Sequence, residues 1–290
     1  MNGILIPGGE ARAESTLGAP PVGLIVVEGL HLPELLTLER LDRDLYRARN
    51  ADHGVRQTLY GGQVAAQALL AAAATVEEGR LPHSFHGYFL RPGRPDLPVI
   101  LQVDRDRDGR SFSARHVVAI QEGAVIFSML ASFHAERPGT AVFDAASRRD
   151  VPSPETTPIG GWNSILDVRE VTPTDLANAL YTDCIWVRSS VPLGDDPTLQ
   201  RAALAYLSDL GSGFGQLDKT MIGSPGPSID HAMWFHEPIR ADEWVLLDLQ
   251  PVKAAAGRST YQGSMRDQHG RLGATIAQET LLIPGSGSSA

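Results

Sequence analysis

Between Tyr60 and Val76 the chain reads YGGQVAAQALLAAAATV, an apolar run opened by a glycine pair and closed by Glu77, Glu78 and Gly79. Val64, Gln67, Ala68, Ala71 and Ala72 fall at i, i+3, i+4 spacing, and alanine on most other positions leaves no strongly polar face. The run therefore predicts a helix buried on all sides. It is too short to span a bilayer, so the wrapping must come from protein. Elsewhere the period changes to two. LERLDRDLYRA, from Leu38, alternates apolar and charged residues and predicts one strand with a wet and a dry face. After the helix come SFHGYFLRPG (Ser84–Gly93), PVILQVDRD (Pro98–Asp106), GRSFSARHVVAIQ (Gly109–Gln121) and AVIFSMLASFHA (Ala124–Ala135). Asp108-Gly109 and Glu122-Gly123 are connectors short enough for antiparallel hairpins. A strand, a buried helix and a meander describe an α+β unit in which a sheet curls round a helix, the hotdog arrangement; a general α+β sandwich fits the same pattern.

Between Arg137 and Gly161 periodicity is lost among Pro, Thr, Ser, Arg and Asp, which predicts a linker. The second half then repeats the first. Apolar segments at Ser164–Val171 and Tyr181–Ser189 precede Asp196-Pro197, an N-cap and N1 pair that opens a helix through Ala205. SIDHAMWFHEP, EWVLLDLQPV, GRSTYQGSMRD and GRLGATIAQETLLI follow as strands. Phe89 and Pro92 recur as Phe235 and Pro238 at an offset of 146, Gly109-Arg110-Ser111 as Gly257-Arg258-Ser259 at 148, and Gly123 as Gly270 at 147. A period this long argues for a duplicated domain. The expected layout is a tail over residues 1–22, a hotdog domain over 23–136, a linker over 137–160, a second hotdog domain over 161–284 and a tail over 285–290. Pairing the two exposed sheet edges would make a tandem double hotdog.

Composition narrows the partners. A net charge of −9, with no long Lys/Arg cluster, argues against nucleic acid. One cysteine, Cys184, excludes an intramolecular disulfide; it sits in an apolar strand-like run and reads as a packed thiol in a reducing compartment. Residues 1–22 lack a basic n-region and a long apolar h-region, so no secretory signal is read there, and the expected location is the cytoplasm. His83 with His86, and His231 with His236, are spaced so that each pair points to opposite faces of a strand, which argues against a shared metal.

Polar residues inside the repeat mark where the halves diverge. At an offset of 146 Gln63 matches Asp209, and Gln278 falls on Ala131 or Ser132. The second half thus holds a carboxylate in AYLSDLGSGFG, a hydroxyl at Ser228 and an amide at Gln278 within an apolar strand. Gln278 is either a hydrogen-bonded core amide or a placed functional one. Asp209 is either turn chemistry or a functional carboxylate. No G-x-S-x-G elbow, P-loop or G-x-G-x-x-G fingerprint is present.

YGGQVAAQAL, HSFHGYFLRPG, DGRSFSARHVVAIQ, IDHAMWFHEP and the closing AQE together resemble the acyl-CoA thioesterase II family of double-hotdog enzymes, over roughly Leu38–Ala135 and Ala203–Ile283. The resemblance implies hydrolysis of acyl-CoA to free acid and CoA without a cofactor. It also implies a water activated by an Asp, a Ser or Thr and a Gln, which fall here on Asp209, Ser228 and Gln278, and assembly into homodimers or larger. Thioester hydrolysis needs an oriented water, a proton acceptor and a stabilised oxyanion. Gly61 and Gly62 at the helix start are the candidate oxyanion donors, with Gln63 beside them, because glycine permits close approach and a helix N-terminus favours negative charge. Arg110 and Arg258 are candidates for the CoA nucleotide. Two rival readings stay open: a hydratase or dehydratase of acyl thioesters, which would want a His such as His53 or His231 poised with an Asp, and a non-catalytic acyl-CoA binder.

Overall fold

The computed structural model describes residues 30–51, 58–135, 143–144, 151–157, 159–162, 165–171, 183–214 and 224–283. The two stretches read as tails, and His53, lie outside the described residues. The elements run α1 (Leu32–Leu35), β1 (Leu38–Asp42), β2 (Leu45–Ala48), α2 (Gly61–Ala73), β3 (Arg80–Phe89), β4 (Val99–Asp108), β5 (Phe112–Gln121) and β6 (Ala124–Ala135). Then follow β7 (Ile159–Trp162), β8 (Leu166–Glu170), β9 (Asp183–Ser189), α3 (Pro197–Leu207), β10 (Ser224–Ser228), β11 (Asp230–Phe235), β12 (Val245–Ala255), β13 (Arg258–Asp267) and β14 (Leu272–Ile283).

The strands form one antiparallel sheet ordered β1-β2-β4-β5-β6-β3-β11-β14-β13-β12-β9-β8-β7, with β10 alongside β14. Read outward from the β3–β11 seam, the two sides carry the same succession, β3-β6-β5-β4-β2 and β11-β14-β13-β12-β9. The edges of two hotdog units have paired, Asp230 opposite Tyr88 through Trp234 opposite Ser84. This is the tandem double hotdog, and the pairing removes the edge strand that each unit alone would expose.

α2 is buried as its composition requires: Ala65, Ala68, Leu69, Ala71 and Ala72 are fully buried. They share one continuous core with Phe85, Leu101, Val117 and Phe133 on one side and with Leu204, Met233, Leu247 and Met265 on the other. Alanine is the residue that lets two helices and a curved sheet approach this closely while keeping high helix propensity. α3 begins as expected, with Asp196 accepting a bond from the Thr198 N–H at 2.8 Å and Pro197 in the first turn. Among the described residues no helix is long and apolar enough to cross a membrane.

Two local readings are corrected. The segment from Leu38 is a hairpin, β1–β2, and not one strand: Asp42 takes the Arg43 N–H at 2.7 Å and Asp44 adopts φ 58°, a left-handed value that Asp tolerates. Only β2 alternates in burial, with Tyr46 and Ala48 inward, while β1 is exposed beyond Leu38. The repeat is also unequal in its helices. The strands keep the offset, since Phe89 pairs with Phe127 as Phe235 pairs with Ala274. Yet α2 follows Tyr60, whereas α3 ends just after the matching Tyr206. Tyr60 and Tyr206 share the sequence offset without holding equivalent places on the two helices.

Candidate active site

The end of α3 meets the start of α2 beneath the seam. Tyr60, the N-cap of α2, donates its hydroxyl to the Tyr206 carbonyl at 2.8 Å, and the two rings meet edge to face with centroids 5.0 Å apart. Beyond the Ser208 C-cap the chain carries Asp209 and then turns away through Gly211 and Gly213, at φ 79° and 65°. Those left-handed values account for glycine at positions 211 and 213. The Asp209 side chain reaches the first turn of α2, where Oδ2 accepts the Gly62 N–H at 2.9 Å. The opening N–H groups of a helix lack intrahelical partners, and the helix dipole favours a carboxylate there. Room for this contact depends on the glycine pair. A Cβ on Gly61 would lie 2.7 Å from Asp209 Oδ2 and 2.9 Å from the Phe89 ring, and one on Gly62 would lie 2.5 Å from the Tyr206 carbonyl.

The sheet supplies the other groups. Ser228, at the end of β10, donates its hydroxyl to Asp209 Oδ1 at 3.2 Å. Gln278 points inward from β14 on the same face as Ala274 and Ile276, is 2 % exposed, and donates from Nε2 to Asp209 Oδ1 at 2.7 Å and to Ser228 Oγ. All three residues expected from the sequence therefore converge on one carboxylate. Behind them lies His231, 1 % exposed, its Nδ1 against Gln278 Oε1 and its Nε2 2.7 Å from Ser208 Oγ. Burial holds the His231 imidazole below the ordinary histidine range, against the opposing pull of the Asp209 carboxylate and of the Gln278 bond.

Asp209, Ser228 and Gly61 stand on the wall of a cleft of about 960 Å³ whose apolar lining includes Leu59, Val64, Phe89, Ile126 and Leu281. The volume and lining suit a small-molecule site with an apolar body and a polar end. Arg91 is the cation among the lining residues; its Nη1 donates to the Val125 carbonyl at 2.7 Å.

The remaining sequence candidates fall elsewhere. Gln63, next to Gly62, turns away from the cleft toward β2, its Nε2 3.4 Å from the Arg49 carbonyl and 3.3 Å from Asn50 Oδ1. Arg258 pairs with Glu279 at 3.0 Å, and Arg110 is exposed in the β4–β5 turn; neither lines the cleft. The helical period puts residues 62 and 63 on different faces, so adjacency to Gly62 did not carry Gln63 into the site. Among the described residues no three His, Cys, Asp or Glu side chains cluster to hold a metal. His83 instead bonds Ser132 at 2.8 Å, and His236 bonds Thr275 at 3.0 Å. Sequence reasoning missed His231 and Ser208 as neighbours of the triad. The available signal was the inward parity that His231 shares with Met233 and Phe235, which makes it a buried polar residue in need of partners.

Comparison with known proteins agrees with the geometry. Residues 50–134 match the family model for the acyl-CoA thioesterase N-terminal domain, and residues 145–282 match that for the C-terminal domain. Acyl-coenzyme A thioesterase 8 of Rattus norvegicus is 34 % identical over 281 residues, covering 86 % of this chain and 87 % of that protein. Acyl-CoA thioesterase 2 of Haemophilus influenzae is 32 % identical over 277 residues, covering 87 % and 96 %. The crystal structure of the acyl-CoA thioesterase II TesB2 from Mycobacterium marinum superposes with a TM-score of 0.78 at 39 % identity, covering 89 % of this chain and all of that one. A hotdog-fold protein of unknown function from Alicyclobacillus acidocaldarius, at 20 % identity and a TM-score of 0.74, shares the fold. With both family models matched in order, and the same two-unit architecture in a solved relative, this chain belongs to the acyl-CoA thioesterase family.

Proposed function

We propose that the protein hydrolyses the thioester of acyl-CoA by direct attack of a water held by Asp209, Ser228 and Gln278. The observation that carries this reading is the convergence of Ser228 Oγ and Gln278 Nε2 on Asp209 Oδ1 while Oδ2 is anchored by the Gly62 N–H, at the polar end of an apolar cleft. A water entering this cluster gives a proton toward Asp209 while the hydroxyl and the amide hold its oxygen, which fixes its line of attack. The water oxygen bonds to the carbonyl carbon and Asp209 takes the proton. Collapse of the tetrahedral intermediate breaks the C–S bond, and the proton returns to the departing thiolate, leaving free acid and CoA thiol. The Gly62 N–H is already engaged with the carboxylate, so the oxyanion role moves to the first-turn N–H of Gly61, also on the cleft wall. The apolar lining takes the acyl chain, and Arg91 supplies positive charge for the CoA phosphates.

The hydratase reading needs an imidazole over the substrate carbons. His231 is buried behind Gln278 and is not among the residues lining the cleft, which removes it as that imidazole; His53, the other candidate, lies outside the described residues. The test is free-thiol release from saturated acyl-CoAs of increasing chain length, with Asp209→Asn alongside the parent. The expected result is thiol release by the parent and a loss of about 10²- to 10⁴-fold in kcat for the variant, the range of a general base. Tight acyl-CoA binding by the parent without thiol release would replace the hydrolase with a binder. The family resemblance further implies a homodimer or larger assembly, and light scattering of the full chain measures its mass directly.

A further inference from the structure

Gln278 is an amide whose direction decides what it can do at the site. A primary amide has a donor end and an acceptor end of nearly the same shape. Only one orientation serves the site: with Nε2 toward Asp209 and Ser228 the amide donates, whereas with Oε1 there it would set an oxygen against a carboxylate. We propose that His231 is a positioning residue for the hydrolytic water, acting through Gln278: its Nδ1–H, donated to Gln278 Oε1, locks the amide with its donor end on Asp209. This inference rests on the reading of Asp209, Ser228 and Gln278 as the water-activating group.

The proton count supports it. Oε1 can only accept, so the ring nitrogen against it, Nδ1, must carry hydrogen. In the neutral imidazole Nε2 is then an acceptor, and the Ser208 hydroxyl 2.7 Å away donates to it. When the imidazole is protonated Nε2 becomes a donor, and Ser208, whose Oγ lies 2.8 Å from the Ala205 carbonyl, turns its single proton there. In both states Nδ1–H still faces Gln278. The opposite tautomer would set a lone pair against Oε1. A flipped amide would satisfy Nδ1 and instead place its oxygen on Asp209 Oδ1, where Nε2 now donates at 2.7 Å. The matching strand positions of the first unit carry no such pair. The strand offsets bring His231 onto Phe85 and Gln278 onto Ala131, two fully buried apolar residues paired across β3 and β6.

The experiment compares kcat and KM for thiol release from one saturated acyl-CoA in the parent, His231→Phe, His231→Asn, Gln278→Ala and the double variant His231→Phe/Gln278→Ala, each checked for folding by thermal unfolding. Phe fills the ring volume without a donor. Asn offers an N–H close to where Nδ1–H stood. His231→Phe is expected to lower kcat by about 10- to 100-fold with KM within about twofold, as for misorientation of a reacting group. His231→Asn should recover to within about fivefold of the parent, and His231→Phe should cost less than about twofold in the Gln278→Ala background, since coupled residues are non-additive. Parent-like turnover in His231→Phe, or full multiplicative loss in the double variant, overturns the positioning role while Gln278→Ala still reports on the site. Parent-like turnover in Gln278→Ala sinks the site reading itself. If His231→Phe does not fold, His231→Gln takes its place: its amide reaches toward Ser208 and not Gln278, so it must lose what His231→Asn keeps.

Discussion

The two hotdog units began from one plan and now differ at its centre. In the second unit the inward positions of β11 and β14 beside the seam carry His231 and Gln278, which are hydrogen-bonded to each other and onward to Ser208, Ser228 and Asp209. In the first, the corresponding places on β3 and β6 hold Phe85 and Ala131, packed into the apolar core. Each arrangement is complete in its own terms. A buried polar network is tolerable only when every member has a partner, and an apolar plug needs none. The first unit meets Asp209 through backbone, at the start of α2, and lines the cleft with Leu59, Val64, Phe89, Arg91 and Ile126. The second contributes the polar cluster, Asp209 and Ser228 on the cleft wall with Gln278 bonded to both. The polar cluster thus belongs to the second unit and meets the first at the start of α2, beside the seam.

The strongest way to break this comparison is to exchange the residues that the offset aligns. Asp209→Asn is expected to lose about 10²- to 10⁴-fold in kcat, whereas Gln63→Met, 146 positions earlier in sequence but in the first turn of α2 and turned from the cleft, should stay within about threefold. Equal losses in steady-state thiol release would mean that both units carry chemistry. Next in size is Ala131→Gln, which sets the amide of the second unit opposite Phe85, where no His waits for it. An unsatisfied buried amide costs about 1–3 kcal/mol, read as a lower urea midpoint at unchanged m, with no gain in turnover.

A smaller difference should appear with pH. Burial holds His231 and His236 in the second unit, and His83 in the first, below their ordinary range. The unfolded chain, with histidines near pH 6.5, then binds more protons than the folded one. Stability contributed by the neutral rings is complete above about pH 6.5 and declines as pH falls toward the lower folded values. Urea unfolding at pH 8, 7 and 6 should show this decline, and His231→Asn should flatten it; an unchanged slope would remove His231 from the linkage. The smallest expected effect is at the tyrosine pair. Tyr60→Phe removes the bond to the Tyr206 carbonyl and should cost about 0.5–1.5 kcal/mol, the net worth of one hydrogen bond.

What the sequence determined by itself is the part that depends on local pattern. Alanine-rich helical spacing gave α2, period two gave most of the strands, and the recurring Phe-x-x-Pro and Gly-Arg-Ser gave the duplication, because burial of one face leaves its trace in consecutive residues. The motif resemblance named Asp209, Ser228 and Gln278. What only the tertiary structure decided is how they meet. The Gly62 N–H meets the carboxylate of a residue 147 positions away, and the Gln278 amide takes its direction from a histidine 47 positions away. Hydrogen bonds of this reach depend on how two helix ends and two sheet edges come together. No window of neighbouring residues contains that arrangement, so Gln63 looked as well placed as Gly62, and His231 was weighed only as a metal ligand or as the imidazole of the rival hydratase reading.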